Sequence, residues 1–299
     1  SITSPALGDK WVVGTKHNIT WTSAGIFPAN SLTLEYTTDG VNWLPILNGS
    51  GVDVKTGSFA WDVPANAVIS DTCKVRATDT KRGDNLQFSS KIFSVSVPII
   101  TLNYPKGGEL VTLNDPTEKV SWTTEGKLVG DLKLEYSLDN FASSVVISAT
   151  INNALTEYPL FPTGVSYPLS ASYRVRVTDT GRPISTAKSS ANFTVLPVPA
   201  ITVTAPNGAE NWIMGTQQQI TWTDNGGKIS NNLNFEYTVD GTKWFGITPN
   251  APFDVTSHSC LWTIPDKDIF GLFQSPFNNV RVRITDNSNT ATSDISDNV

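Results

Sequence analysis

Ile19-Thr20-Trp21-Thr22 returns as Val120-Ser121-Trp122-Thr123 and again as Ile220-Thr221-Trp222-Thr223. The interval is about 100 residues each time, the mark of one unit written three times. In each copy an apolar residue and a tryptophan flank a hydroxyl residue. On an extended strand, Ile19 and Trp21 then share one face and Thr20 takes the other. The following strand alternates as well: Leu32, Leu34, Tyr36; Leu132, Leu134, Tyr136; Leu233, Phe235, Tyr237. Such alternation belongs to antiparallel sheets packed on one side and solvated on the other.

Turn chemistry brackets these strands. Each copy opens on a proline turn: Pro5-Ala6-Leu7-Gly8-Asp9, Pro105-Lys106-Gly107-Gly108-Glu109 and Pro206-Asn207-Gly208-Ala209-Glu210. Hairpin signals follow at Asp39-Gly40, Asp139-Asn140 and Asp240-Gly241. Val75-Arg76-Ala77-Thr78-Asp79 recurs as Val175-Arg176-Val177-Thr178-Asp179 and Val282-Arg283-Ile284-Thr285-Asp286. Roughly seven short strands per copy predict an all-β chain. The expected architecture is three tandem immunoglobulin-like (fibronectin III-like) antiparallel β-sandwiches in a rod. The expected domains are 1–98, 99–199 (a degenerate copy) and 200–299 (final strand missing). Short proline-bearing linkers, Val97-Pro98-Ile99 and Leu196-Pro197-Val198-Pro199, stiffen the connections. Aligning the first copy with the third puts Val299 opposite Ile92. The sequence is therefore expected to be a segment of a longer repeat protein. Completion by a strand from another chain is the alternative.

Composition narrows the function. A net charge of −6 does not suit phosphate backbones, so nucleic acid is not an expected partner. No run of 18 apolar residues occurs, so no membrane span is expected in this segment. Cys73 and Cys260 are the only cysteines and fall in slots that are apolar in the other copies, as expected of buried thiols. No cofactor is expected. Asp79, Asp84, Asn85, Asp286, Asn287 and Asn289 leave calcium as a minor option beside Asx-turn chemistry. His17 and His258 stand alone, and no metal-binding, nucleophile-elbow, P-loop or dinucleotide motif occurs, so no catalytic residue is assigned.

The nine tryptophans fall on four template slots. Trp21, Trp122, Trp222, Trp61 and Trp262 are expected to fill the core. Trp11, Trp43, Trp212 and Trp244 are the candidate carbohydrate contacts, with packing the preferred role even for them. Thr38-Asp39-Gly40-Val41-Asn42-Trp43 and its third-copy counterpart resemble the Asp-box turn, for which a hairpin turn is the simpler account. Glu35, Glu135 and Glu236 are expected to face Arg76, Arg176 and Arg283 across neighbouring strands, a structural Glu–Arg ladder.

The combined pattern of Ile-Thr-Trp, Leu-Glu-Tyr, Asp-Gly-x-x-Trp, Trp-x-Val-Pro and Val-Arg-x-Thr-Asp resembles the immunoglobulin-like domain of the Ser/Thr-rich, GPI-anchored fungal cell-wall-assembly family. It is also similar to repeats of large bacterial surface proteins. The resemblance implies an extracellular sandwich, often repeated, without catalytic residues. The leading expectation is a non-enzymatic structural or adhesive repeat segment of a microbial surface or filament-forming protein. Its expected partners are other copies or domains of the same surface protein, by strand complementation at the C-terminal edge among other routes. A carbohydrate- or cell-wall-binding module, and an accessory region of a larger secreted enzyme, are the alternatives.

Overall fold

The computed structural model describes residues 1–162, 167–266, 277 and 279–297. The first copy contains β1 (Ile2–Ser4), β2 (Lys10–Val12), β3 (Lys16–Trp21), β4 (Leu32–Thr37), β5 (Leu44–Val52), β6 (Ser58–Asp62), β7 (Ser70–Asp79), β8 (Gln87–Ser89) and β9 (Phe93–Ser96). The second contains β10 (Ile99–Tyr104), β11 (Leu110–Thr112), β12 (Lys119–Glu125), β13 (Leu132–Ser137), β14 (Val145–Ile151), β15 (Glu157–Pro159), β16 (Ser170–Asp179), β17 (Thr186–Lys188) and β18 (Phe193–Leu196). The third contains β19 (Ile201–Ala205), β20 (Gln217–Asp224), β21 (Leu233–Thr238), β22 (Phe245–Ile247), β23 (Ser259–Thr263), β24 (Arg281–Asp286) and β25 (Asn289–Ile295). Among the described residues, helix is confined to two short 3-10 turns, Val54–Thr56 and Val255–Ser257. No helix of the described residues is long and apolar enough to cross a membrane.

In the first copy a three-stranded sheet, β1-β3-β6, faces a larger one ordered β2-β9-β7-β4-β5, with β8 beside β7. The second copy repeats this as β10-β12-β15 and β11-β18-β16-β13-β14, with β17 beside β16. The third has β19-β20-β23 and a shorter sheet, β22-β21-β24-β25. These are all-β sandwiches. Among the strand pairs whose direction the described residues give, pairing is antiparallel except where β2 runs parallel to β9 and β11 to β18. The proline turn causes this exception. It lets the opening strand continue in one direction while switching sheets, so its second half lands beside the last strand.

By contact density the chain divides into two compact units. One comprises Ser1–Glu109, Lys119–Pro162 and Ser172–Phe193; the other comprises Leu110–Glu118, Thr163–Ala171 and Thr194–Val299. Within the first unit the linker is packed. The Lys127 N–H donates to Val13 O at 3.0 Å, and Arg182 Nη2 donates to Ala65 O at 3.0 Å. Gly126 (φ +84°) sits so close to this contact that a Cβ there would lie 2.5 Å from both Val12 Cγ1 and Val13 O. Within the second unit, Asn225 Nδ2 donates to Val198 O at 2.8 Å and Asn225 Oδ1 accepts from the Ala200 N–H at 3.1 Å.

The inward faces make the cores. Trp21, Ile19, Leu32, Leu34, Trp61, Val75 and Phe93 form one cluster; Trp222, Ile220, Phe235, Trp262, Val282 and Ile284 form another. The middle copy keeps its core by exchanging sizes. Val111 replaces Trp11 while Tyr173 replaces Cys73, and both are fully buried. Tyr173 then packs against Phe193 at 5.6 Å, much as Trp11 packs against Phe93 at 4.9 Å. Volume moves across the core and its total is roughly held, the substitution pattern that packed interiors tolerate.

The recurrent tryptophans differ in one respect. Trp21 Nε1 donates to Val54 O at 2.8 Å, whereas the indole N–H groups of Trp122 and Trp222 have no acceptor among the described residues. Trp21→Phe removes the shorter of two hydrogen bonds to Val54 O, leaving the one from the Gly57 N–H at 3.3 Å, and Trp222→Phe removes a donor that has no partner among the described residues. Urea denaturation should therefore show Trp21→Phe as more destabilising by about 1 kcal/mol, and equal losses would contradict this account.

Candidate functional site

The Asp-Gly hairpin leads from β4 into β5, and β4 also pairs with β7. In this register Glu35 lies opposite Arg76, Glu135 opposite Arg176 and Glu236 opposite Arg283. Arg76 Nε and Nη2 donate to Glu35 Oε2 at 3.0 and 2.6 Å. The third copy matches closely, at 2.9 and 2.6 Å between Arg283 and Glu236 Oε2. In the middle copy the distances are 3.1 and 2.9 Å, and Lys133 Nζ and Ser144 Oγ engage the second oxygen of Glu135. The Glu135 side chain is 5 % exposed, against 24 % for Glu35. Burial pushes the Glu135 carboxyl up, but the bonds from Lys133, Arg176 and Ser144 outweigh it and leave it below its ordinary value.

Each arginine is also covered by an aromatic ring. Arg76 Cζ lies 4.2 Å from the Trp43 ring centroid and Arg283 Cζ lies 4.2 Å from that of Trp244. In the middle copy Arg176 uses Phe141, at 4.4 Å. Phe141 is not at the position that aligns with Trp43, so repeat alignment passes over it. It reaches the guanidinium because its backbone adopts φ 67°. The assembly is thus Glu–Arg–aromatic in all three copies. It holds one face of Trp43 and of Trp244 against a cation.

The other two candidate tryptophans differ from each other. Trp11 is 5 % exposed, stacked on His17 at 4.4 Å and packed on Trp61 and Phe93. On β2 the residue faces inward, which agrees with packing, its preferred reading, and removes Trp11 from the carbohydrate candidates. Trp212 is half-buried against Trp262 at 6.3 Å.

The hairpin turns are closed on themselves. Asp39 Oδ1 accepts from Thr37 Oγ1 and from the Val41 and Asn42 N–H groups, and Asp39 Oδ2 accepts from Asn42 Nδ2. Chiefly the Val41 N–H, then Asn42, holds Asp39 well below the usual carboxylate range. The Lys243 and Thr242 N–H groups lower Asp240 to about 2, and the Ser143 hydroxyl and N–H lower Asp139 to about 2. All three carboxylates serve as turn acceptors.

The Asp residues that close the Val-Arg-x-Thr-Asp motif point inward. Asp79, Asp179 and Asp286 are buried. Asp179 accepts from the Val129, Gly130 and Gly181 N–H groups. Asp286 accepts from the Ser230 N–H and hydroxyl and from the Ser288 N–H. Asp79 accepts from the Lys81 N–H, and Asp84 pairs with Arg82. Asn287 Nδ2 donates to Asn232 Oδ1. The described residues contain no group of three His, Cys, Asp or Glu side chains placed to hold a metal. Cys73 and Cys260 are buried free thiols, and burial pushes Cys260 up to about 12.

No protein-family model matches the chain, and no curated protein matches it. The fungal cell-wall resemblance therefore gains no support. Solved structures with similarity are tandem immunoglobulin-like and fibronectin III-like domains. The three N-terminal domains of the highly immunogenic outer capsid protein (Hoc) of bacteriophage RB49 share 14 % identity, with 96 % of this chain and 93 % of that chain covered and a TM-score of 0.42. The FN1–FN3 domains of chicken CNTN1 share 13 %, covering 95 % and 90 %, at 0.30. The fibronectin(III)-like modules of Clostridium thermocellum CbhA share 17 %, covering 66 % and 94 %, at 0.22. The sandwich assignment rests on the chain's own sheets.

Three outcomes are expected. Glu135→Ala, which strips a buried acceptor from two cations, should destabilise by about 3 kcal/mol, against about 1 kcal/mol or less for Glu35→Ala, in chemical denaturation. A lowered carboxylate contributes stability above its unfolded pKa and loses that contribution as pH falls through the folded value. Amide protection, corrected for intrinsic rates, should therefore fall at Thr242 and Lys243 as pH drops from about 4 through about 2, ahead of the core strands, with Val41 and Asn42 protected to lower pH. Neither thiol should react with iodoacetamide at pH 8 in the native chain, and both should react in concentrated urea.

Proposed function

We propose that this chain is a non-catalytic structural or adhesive repeat segment of an extracellular microbial surface or filament-forming protein. The observation that carries the reading is what recurs. The polar constellations shared by all three copies are the Glu–Arg–aromatic assembly, the Asp hairpin and the inward Asp of the Val-Arg-x-Thr-Asp motif. Each is directed at the chain's own backbone or side chains. Residues repeated for chemistry would present unsatisfied groups to a cleft. The packed linker of the first unit suits a load-bearing segment better than a flexible tether. The partners proposed are other copies or domains of the same surface protein.

The same reading proposes independently folding sandwiches at 1–98, 99–199 and 200–299. Single-molecule stretching of the chain should give three unfolding events, each releasing about 30–35 nm of contour at ~3.3–3.6 Å per residue. The event for the third sandwich, with its shorter sheet, should come at the lowest force. A featureless extension would overturn the structural reading. Saturable glycan binding abolished by Trp43→Ala and Trp244→Ala would replace it with a carbohydrate-binding function.

A further inference from the structure

The polar constellations that recur in all three copies serve the fold. The middle sandwich also holds one that the other copies lack. Arg174, on β16, donates from Nε to Asn192 Oδ1 at 2.8 Å and from Nη1 to Asn140 Oδ1 at 2.9 Å. Asn140 lies in the hairpin between β13 and β14, and Asn192 stands immediately before β18. Asn140 holds a left-handed turn position, at φ 57°. The first copy has Gly40, Lys74 and Ile92 at these three places, and the third has Gly241 and Arg281 at the first two. Those copies form their sheets without the amides, so the sandwich does not require them.

The chemistry of this cradle selects its ligand. A guanidinium has donors and no acceptor, so each amide must turn its oxygen to Arg174 and its NH2 group away. Neither NH2 group has a partner among the described residues. Asn140 and Asn192 are exposed, and Arg174 is half-buried. Arg176, two residues along the same strand face, is paired with Glu135, whereas Arg174 forms no ion pair among the described residues. The acids of this face are already engaged: Glu135 by Arg176, Lys133 and Ser144, and Asp139 by Ser137 and Ser143. The result is an uncompensated cation held in one orientation between two neutral donors. That restraint removes rotamer freedom which a free arginine would lose on binding. Lys188, exposed and in register with Arg176, adds a second cation to the face.

We propose that Arg174, Asn140 and Asn192 form a binding site for the carboxylate of a uronic-acid saccharide. The Nη2 edge of the guanidinium meets the carboxylate, and the two NH2 groups donate to oxygens beside it. A uronate presents that set, because its carboxylate is flanked by the ring oxygen and a hydroxyl. An aspartate or glutamate side chain carries its carboxylate on a bare methylene stem and leaves the amide donors unused. A dianion such as phosphate would bring a second negative charge toward Glu135 and Asp139. Guanidinium–carboxylate bonds are charge-assisted and specific in geometry, which a lysine at the same place cannot reproduce. The proposal rests on the adhesive reading above and names its ligand class.

The test is calorimetric titration of the full chain at low salt with trigalacturonate, beside the neutral galactose trimer and inorganic sulfate. Saturable binding of trigalacturonate is expected, weakening as salt rises. Arg174→Lys keeps the charge and loses the fork, so it should weaken binding at least about tenfold. Asn140→Gly and Asn192→Ile should each weaken it about threefold or more. Both install the first copy's residues, so the sandwich should keep its fold, as read by near-ultraviolet circular dichroism. Lys74→Ala, at the equivalent place without the amides, should leave the affinity unchanged. Absence of trigalacturonate binding would overturn the proposal. So would equal affinity of Arg174→Lys, equal affinity for the neutral trimer, sulfate binding as tightly as trigalacturonate, or loss of binding in Lys74→Ala. Three unfolding steps on stretching without uronate binding would defeat this site and leave the structural reading standing. Uronate binding with a featureless extension would do the reverse.

Discussion

Burial of one tryptophan between two sheets is the constraint on which each sandwich depends. Trp21, Trp122 and Trp222 lie on the middle strand of a three-stranded sheet, and each is at most 4 % exposed. A ring of that size spans the gap between facing sheets and sets which residues can sit opposite it. A one-residue slip would turn the indole and its apolar neighbour to solvent. Register, and with it every cross-strand pair on the outer face, follows from that inward anchor.

The outer-face pairs are consequences of that register. Glu35 and Arg76 meet because Leu34 and Tyr36 must point inward, which leaves the residue between them facing out. The aromatic cover then shields the pair. Trp43 over Arg76 and Phe141 over Arg176 reduce the guanidinium's contact with water while leaving its edge for the carboxylate. The middle copy carries this furthest, with Lys133 and Ser144 completing the coordination of a nearly buried Glu135. An aromatic residue beside a hairpin is thus a structural part of the sheet surface as much as an exposed ring.

The three copies also show how a sandwich accommodates loss. The second has Val111 at the slot of Trp11 and the larger Tyr173 at the slot of Cys73, both fully buried. The third retains Trp212, which is half-buried against Trp262. Side-chain volume can be exchanged across a core.

The sequence by itself determined the repeat, the all-β class, the inward faces and the cross-strand placement of Glu and Arg. Those follow from a two-residue period and an interval of about 100 residues, both local and countable. Only the tertiary structure decided what each shared polar residue is for. Asp79, Asp179 and Asp286 look alike in sequence, yet loop N–H groups from Val129 and Gly130 hold one, Ser230 holds another, and Lys81 serves the first. Phe141 reaches Arg176 through a left-handed backbone turn that no alignment position announces. Trp11 and Trp212 occupy one template slot and differ in exposure, Trp11 lying beside β9 and packed on Trp61 and Phe93, Trp212 meeting Trp262. Partners distant in the chain set such roles, and periodicity carries no information about them.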